Sequence, residues 1–317
     1  MVSNEHNDNK QLPKLIVILG PTASGKTEWS LHLAKKFDGE IISADSRQVF
    51  KKMDIGTAKA QGEWRRDGFK RTYYVDDVPH YMMDFLDPGK FFTAAKFHDQ
   101  SIKHVKTIHR KNKNPFVVGG TGMYIQSLVD NYKMPRIPPN KKLRRSFEEK
   151  SNEELLEWLK QVDPISAEII DQNNKRRLIR ALEVSILSGE PFSSQQKMGE
   201  ALFDILQIGI KVDKETIHKR IEERVDKMIE NNLLKEIDAL LKQKYSWDLP
   251  SMSGIGYRQF REHLEGTEEL EKAINKLKKE TKHFAKKQMT WFKRDKRINW
   301  VEKREEAEKL IEEFLGK

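Results

Sequence analysis

Gly20-Pro21-Thr22-Ala23-Ser24-Gly25-Lys26-Thr27 matches the phosphate-binding pattern G-x-x-x-x-G-K-[ST] at every required position. The apolar run Leu15-Ile-Val-Ile-Leu19 precedes it and reads as a buried strand. Glu28-Trp-Ser-Leu-His-Leu-Ala-Lys-Lys36 follows and reads as a helix. Strand, glycine loop and helix are the context in which successive backbone N–H groups wrap an anion at the positive end of a helix. All eight residues are therefore candidate diphosphate ligands. Lys26 brings a point charge for the terminal phosphate, and the Thr27 hydroxyl is the candidate ligand for Mg²⁺. The alternative is a purely structural glycine turn.

Working outward, strand-like runs recur at Glu40–Asp45, at Tyr81–Leu86 (the weaker candidate) and at Pro115–Gly120, where a basic helix starting near Thr93 precedes the last. Alternation of strands with helical stretches predicts an α/β fold: a parallel sheet of the phosphate-loop NTPase type, flanked by helices. Met134-Pro-Arg-Ile-Pro-Pro139 then breaks the pattern. Residues 130–202 read as an all-helical insertion, with helices over Asn152–Val162 and Asn173–Leu187, the latter ended by Gly189-Glu-Pro191. Phe203–Ile210 reads as a return to the sheet, so the core spans 13–129 and 203–317 and closes on an amphipathic helix over Glu302–Leu315. Residues 1–12 read as a flexible tail.

The chain has 317 residues, a formal net charge of +10 and no cysteine. Disulfides and thiolate metal sites are thereby excluded. No apolar run approaches the ~20 residues that span a bilayer, and the acidic, polar N-terminus is no secretory signal. The expectation is a cytoplasmic protein, monomeric by default, with a polyanionic partner and no obligate protein partner.

Asp45-Ser46-Arg47-Gln48 sits at the C-terminal end of the second strand, the rim where doubly wound sheets bind ligands. There Asp45 could reach Mg²⁺ through water, accept a proton, or cap the next turn. Val118-Gly-Gly-Thr-Gly-Met-Tyr124 lies on the same rim and offers the Thr121 hydroxyl. Its strand ends in Gly-Gly, where a nucleotide hydrolase would carry a Mg²⁺-binding aspartate. Glu271–Arg297 holds eleven Lys or Arg against three acids, with His283, Phe284, Trp291 and Phe292 interleaved. It suits a helix whose cationic face, Lys286 and Lys287 included, meets nucleic-acid phosphates. A solvated helix with its aromatics in the core is the alternative. Arg176, Arg177 and Arg180 form a second basic cluster.

Taken together, these pieces resemble the tRNA dimethylallyltransferase family, also called tRNA isopentenyltransferases, of the bacterial type. The resemblance rests on Gly20–Thr27, Ile42–Gln48, Met53-Asp-Ile-Gly-Thr-Ala-Lys59, Val118–Tyr124, Arg176–Glu183, His218–Met228, Gly254-Ile-Gly-Tyr-Arg258 and Ala285–Arg294, and so covers nearly the whole chain. It departs at Phe50, where the family often has Tyr, and at Asn174, where many members have Asp. It implies transfer of a dimethylallyl group from dimethylallyl diphosphate to N6 of the adenosine 3′ to the anticodon, in tRNAs reading codons that begin with U. By the same resemblance, Arg224 joins Thr27 and Asp45 as catalytic, and the tRNA anticodon stem-loop contacts Asp45, Ser46, Arg47, Gln48, Thr121, Arg176, Arg177, Arg180, Gly256, Tyr257, Arg258, Lys286 and Lys287. Three rivals remain at this stage: an isopentenyltransferase for free adenine nucleotides, a small-molecule kinase, and a non-catalytic RNA-binding protein.

Overall fold

The computed structural model describes residues 12–68, 70–195 and 197–316. The expected tail, apart from Leu12, lies outside them. Strands β1 (Lys14–Leu19), β2 (Gly39–Ala44), β3 (Glu63–Asp67), β4 (Lys70–Val75), β5 (Val78–Tyr81), β6 (Asn114–Gly119), β7 (Asp204–Ile210) and β8 (Ile298–Val301) form one sheet in the order β3-β4-β5-β2-β6-β1-β7-β8. The six strands from β5 to β8 in that order are parallel. At one edge β3, β4 and β5 pair antiparallel, so the sheet is mixed rather than wholly parallel. The expected strand Tyr81–Leu86 is also corrected. Pairing ends at Tyr81, and Met82 and Asp84 take left-handed backbone angles that no strand sustains.

The central strand β1 is buried on both faces, which its unbroken Leu-Ile-Val-Ile-Leu demands. Two layers of helix cover it. Helices α1 (Lys26–Lys36), α2 (Ala94–Arg110) and α3 (Gly122–Val129) follow β1, β5 and β6, and α4 to α7 belong to the insertion. After β7 come α8 (Lys214–Glu230), α9 (Leu233–Lys242), the short α10 (Arg261–Leu264), α11 (Leu270–Phe292) and α12 (Arg304–Leu315). One core packs Leu33, Phe37, Phe116, Ile208 and Ile311 on the sheet; a second gathers Val49, Met53, Leu233, Ile237, Tyr257, Phe260 and Leu277.

The chain divides into two compact units, Met1–Ile125 with Leu202–Lys317, and Gln126–Ala201. The second unit is helical: α4 (Lys141–Glu148), α5 (Asn152–Val162), α6 (Pro164–Ile169) and α7 (Lys175–Ser188) close over Phe147, Leu155, Leu159, Leu178 and Leu182. Ser151 and Glu154 make a reciprocal cap at the start of α5. Asn174 caps α7 by accepting the Arg177 N–H at 3.3 Å, the same bond an aspartate would make there. No described helix is long and apolar enough to cross a membrane.

Candidate active site

The register of three neighbouring parallel strands builds the site. Leu19 of β1 and Ala44 of β2 both pair with Gly119 of β6. The residues that follow, Gly20, Asp45 and Gly120, therefore leave the sheet side by side at its carboxyl edge. A phosphate loop, an acid and a glycine turn from three distant stretches of sequence come together by this pairing alone.

In the loop, Gly25 has φ +90°, which only glycine adopts without strain, and turns the chain into α1. Ser24 donates its N–H to the Pro21 carbonyl at 3.3 Å. The Lys26 ammonium folds back to donate to that carbonyl and to Ser24 Oγ. Burial, then the neighbouring Arg224 guanidinium, pull the Lys26 pKa down to about 7, against a smaller opposing pull from Asp45. A diphosphate in the loop would supply the negative charge this ammonium lacks. Arg224 reaches in from α8 and donates to Thr22 Oγ1 at 3.2 Å; burial lowers its pKa as well.

The far side of the loop is held by a residue that the sequence reading did not single out. Thr22 donates its N–H to Gln288 Oε1 at 2.8 Å, and Gln288 Nε2 donates to the Gly120 carbonyl at 2.8 Å. The approach is close: a Cβ on Gly120 would lie 2.3 Å from Gln288 Nε2. Gln288 belongs to the buried stripe Ile274, Leu277, Thr281, Ala285, Gln288, Phe292 of α11. An amide at helical spacing on an otherwise mostly apolar face was the available signal.

Asp45 does cap the next turn. Its Oδ1 accepts the Arg47 N–H at 2.7 Å and the Gln48 N–H at 3.2 Å. Its other oxygen has no hydrogen-bond partner among the described residues, and Asp45 lines a cavity of about 480 Å³. Capping thus uses one carboxylate oxygen and leaves the other. Ser46, Arg47, Thr121, Arg258 and Lys287 line the same cavity, as do Thr22, Arg224 and Gln288. Thr121 Oγ1 accepts the Ser46 N–H at 3.0 Å, tying the two rim turns together. Gln48 points elsewhere, donating to the Thr57 and Ala58 carbonyls. A second cavity, about 740 Å³, opens on Ser24, Gly25, Trp29, Lys59 and Arg220. The two share Ala58, Arg224 and Met228, so one wall separates them.

That wall has its own support. The Glu236 carboxylate of α9 accepts the N–H groups of Asp54, Ile55 and Gly56 at 2.8–3.1 Å and the Tyr257 hydroxyl at 2.7 Å. Behind it, the 1% exposed Lys59 ammonium donates to Asp54 and Asp84. Tyr257 and Gly256 are buried in this packing, with Tyr257 only 1% exposed. Arg258 pairs with Glu280 at the cavity, while Lys286 and Lys287 are exposed on α11. In the helical unit Arg176 and Arg177 are exposed, whereas Arg180 donates to the buried Glu183 at 2.6 Å and to the Ile137 carbonyl. Burial alone would raise the Glu183 pKa; Arg144, the Asn140 N–H and Arg180 hold it below the usual range.

The residues present suit Mg²⁺. Among the described residues no three acids or histidines cluster as a metal cage. Thr27 is exposed at the first turn of α1, and Mg²⁺ typically takes one or two protein ligands and completes its shell with phosphate oxygens and water.

A family model described as IPP transferase matches residues 48–295. The tRNA dimethylallyltransferase 2 of Geotalea uraniireducens is 42% identical over 302 residues, 93% of this chain and 94% of that protein. A crystal structure of tRNA delta(2)-isopentenylpyrophosphate transferase from Staphylococcus epidermidis is 36% identical with a TM-score of 0.66, covering 96% of this chain and 99% of that one. A eukaryotic dimethylallyltransferase structure, described as acting on tRNA, is 29% identical with a TM-score of 0.72 over 88% of this chain and 69% of that one. The family model spans most of the chain and these relatives nearly all of it, so the chain belongs to the IPP transferase family.

Proposed function

We propose that this protein, a cytoplasmic enzyme, transfers the dimethylallyl group of dimethylallyl diphosphate to N6 of the adenosine 3′-adjacent to the anticodon in tRNAs reading codons that begin with U. One observation carries the reading. Two cavities that share Arg224 flank the phosphate loop: Ala23, Ser24 and Gly25 line one, and Thr22 lines the other together with Asp45, whose second oxygen is not used in the turn. An electrophile bearing a diphosphate and a nucleophile bearing a proton can meet there.

In the reaction the N6–C1 bond forms as the C1–O bond to the diphosphate breaks. The loop N–H groups, Lys26 and Arg224 stabilise charge growing on the leaving diphosphate. Asp45 Oδ2 takes the N6 proton, help worth roughly 10²–10⁴-fold, while Oδ1 remains on its turn and keeps the carboxylate oriented. The Thr27 hydroxyl would hold Mg²⁺, whose chemistry there would be added positive charge for the leaving group. On α11 the exposed Lys286 and Lys287 suit RNA phosphates, and in the helical unit, taken by itself, so do the exposed Arg176 and Arg177. The relatives' names and the Gly-Gly end of β6 favour prenyl transfer over the kinase reading. The cationic α11 favours RNA over a free nucleotide.

Asp45→Asn tests the assignment. It retains a turn-capping oxygen and loses the base. The expected result is a fall of at least about a hundredfold in kcat with diphosphate affinity unchanged. A normal kcat would remove Asp45 from the chemistry.

A further inference from the structure

Three aromatic side chains on α11 were candidates for contact with RNA, and the structure separates them. Phe292 is buried at 3% exposure, and the Trp291 ring packs against Gly122. Phe284 is 40% exposed, and among the described residues no other aromatic ring packs on it. It is also a lining residue of the cavity that holds Asp45.

Its place along the helix gives it a role. Gln288, which grips the phosphate loop, lies four residues on, so Phe284 sits one turn away and only about 40° round the helix, roughly 6 Å along the axis. Thr281 and Gln288, about one turn to either side, are buried while Phe284 is open. The ring is thus at the mouth of the cavity rather than at its floor. Around it stand His283 and Lys287 of the same helix, and Arg258 reaches Glu280 one turn before it. Glu280, the acid on this side, is engaged by Arg258 and Gln259. An open aromatic face beside a lysine such as Lys287 is an arrangement that takes an unstacked nucleobase, with the charge on its phosphate.

We propose that Phe284 is a stacking platform for a nucleobase next to the reacting adenosine, at the mouth of the Asp45 cavity. The proposal rests on the RNA-prenylation reading. A ring at the mouth holds a flanking base and leaves the floor, beside Asp45 and the loop, for the adenine that reacts. Such a contact is sequence-tolerant, because every base has a π-face. It therefore contributes affinity and positioning more than base identity.

The test is a cycle between protein and RNA. Binding of an unmodified anticodon stem-loop is measured for wild type, Phe284→Ala and Phe284→Trp, against the intact RNA and against RNAs made abasic at each nucleotide flanking the target adenosine. Phe284→Ala should weaken binding of intact RNA about tenfold or more, and Phe284→Trp should restore it. With the correct abasic RNA, wild type and Phe284→Ala should bind alike, a coincidence that a general structural defect would not produce. The KM for dimethylallyl diphosphate should not move. Unchanged RNA binding by Phe284→Ala overturns the proposal, as does an equal penalty on every abasic RNA. A raised KM for the diphosphate alone overturns it too, by placing the ring against the prenyl chain. Binding is read without turnover. A wild type that binds the stem-loop yet transfers no prenyl group would refute the functional reading and leave the stacking result to stand separately.

Discussion

Gln288→Ala probes the clamp between the phosphate loop and β6. Gln288 is 7% exposed, and its amide makes two 2.8 Å bonds, one to the Thr22 N–H and one to the Gly120 carbonyl. Truncation strips a partner from the buried Gly120 carbonyl and the half-buried Thr22 N–H, at about 1–3 kcal/mol each, so a total destabilisation of about 2–6 kcal/mol is expected, with the half-buried group favouring the lower part of that range. Thr22 is also the residue that Arg224 grips, so part of the loss must appear in ligand binding. If about 1.4 kcal/mol of it is spent re-ordering the loop when the anion binds, the Kd for diphosphate rises about tenfold. Gln288→Glu sharpens the test. It retains an acceptor for Thr22 but sets a carboxylate oxygen against the Gly120 carbonyl and adds negative charge beside an anion site. Its diphosphate affinity should fall below that of Gln288→Ala. Calorimetry with inorganic diphosphate and Mg²⁺ reads the affinity, and thermal unfolding reads the stability. A Gln288→Ala protein that loses stability but binds diphosphate as wild type does would refute the coupling between clamp and loop.

Other consequences follow from the same geometry. Arg224→Ala removes a half-buried guanidinium from the loop, and the KM for dimethylallyl diphosphate should rise at least tenfold, roughly the value of one charged hydrogen bond; steady-state kinetics at varied diphosphate would show otherwise if Arg224 only packs. Glu236→Gln turns an amide NH₂ toward backbone donors, so it should lose about 2 kcal/mol or more of stability in denaturant unfolding and lower kcat through the displaced 54–58 wall; wild-type stability would contradict that role. His80, buried in β5, has its pKa lowered by burial from 6.5 to about 4. The unfolded chain therefore binds the extra proton first, and stability present above 6.5 is lost as the pH falls through 4, by about 3 kcal/mol in all. His80→Gln should flatten that part of the stability–pH curve, and an unchanged curve would assign the acid loss to other groups.

Much of the site could be read from the sequence because short-range rules govern it. The phosphate loop needs only its own glycines and flanking strand and helix. The second helical unit was legible from its leucine spacing and from the proline cluster ahead of it. What escaped depends on pairing across long separations. The β3–β4 hairpin, Glu-Trp-Arg-Arg-Asp and Lys-Arg-Thr-Tyr-Tyr-Val, is too charged to read as strand, and its aromatic residues pack only once β5 is beside them. The edge strand β3 exposes Glu63, Arg65 and Arg66, and such a charged edge resists further pairing. β8 is four residues long and gains its place from β7. Glu236 and Gln288 lie far from the segments they hold, at about 180 and 266 residues of separation, and neither falls in a motif that names its contact. Tyr257 belongs to the stretch that resembles the family, yet its hydroxyl serves Glu236 and its ring is buried.

The central claim is that a phosphate loop here grips a prenyl diphosphate while Asp45 accepts a proton from an RNA base. The protein incubated with Mg²⁺, radiolabelled dimethylallyl diphosphate and unmodified tRNA, followed by nucleoside digestion, tests it most directly. Label is expected on N6 of the adenosine beside the anticodon, with inorganic diphosphate released in equal amount. Label in free adenine nucleotides but not in tRNA, or none in either, would contradict it.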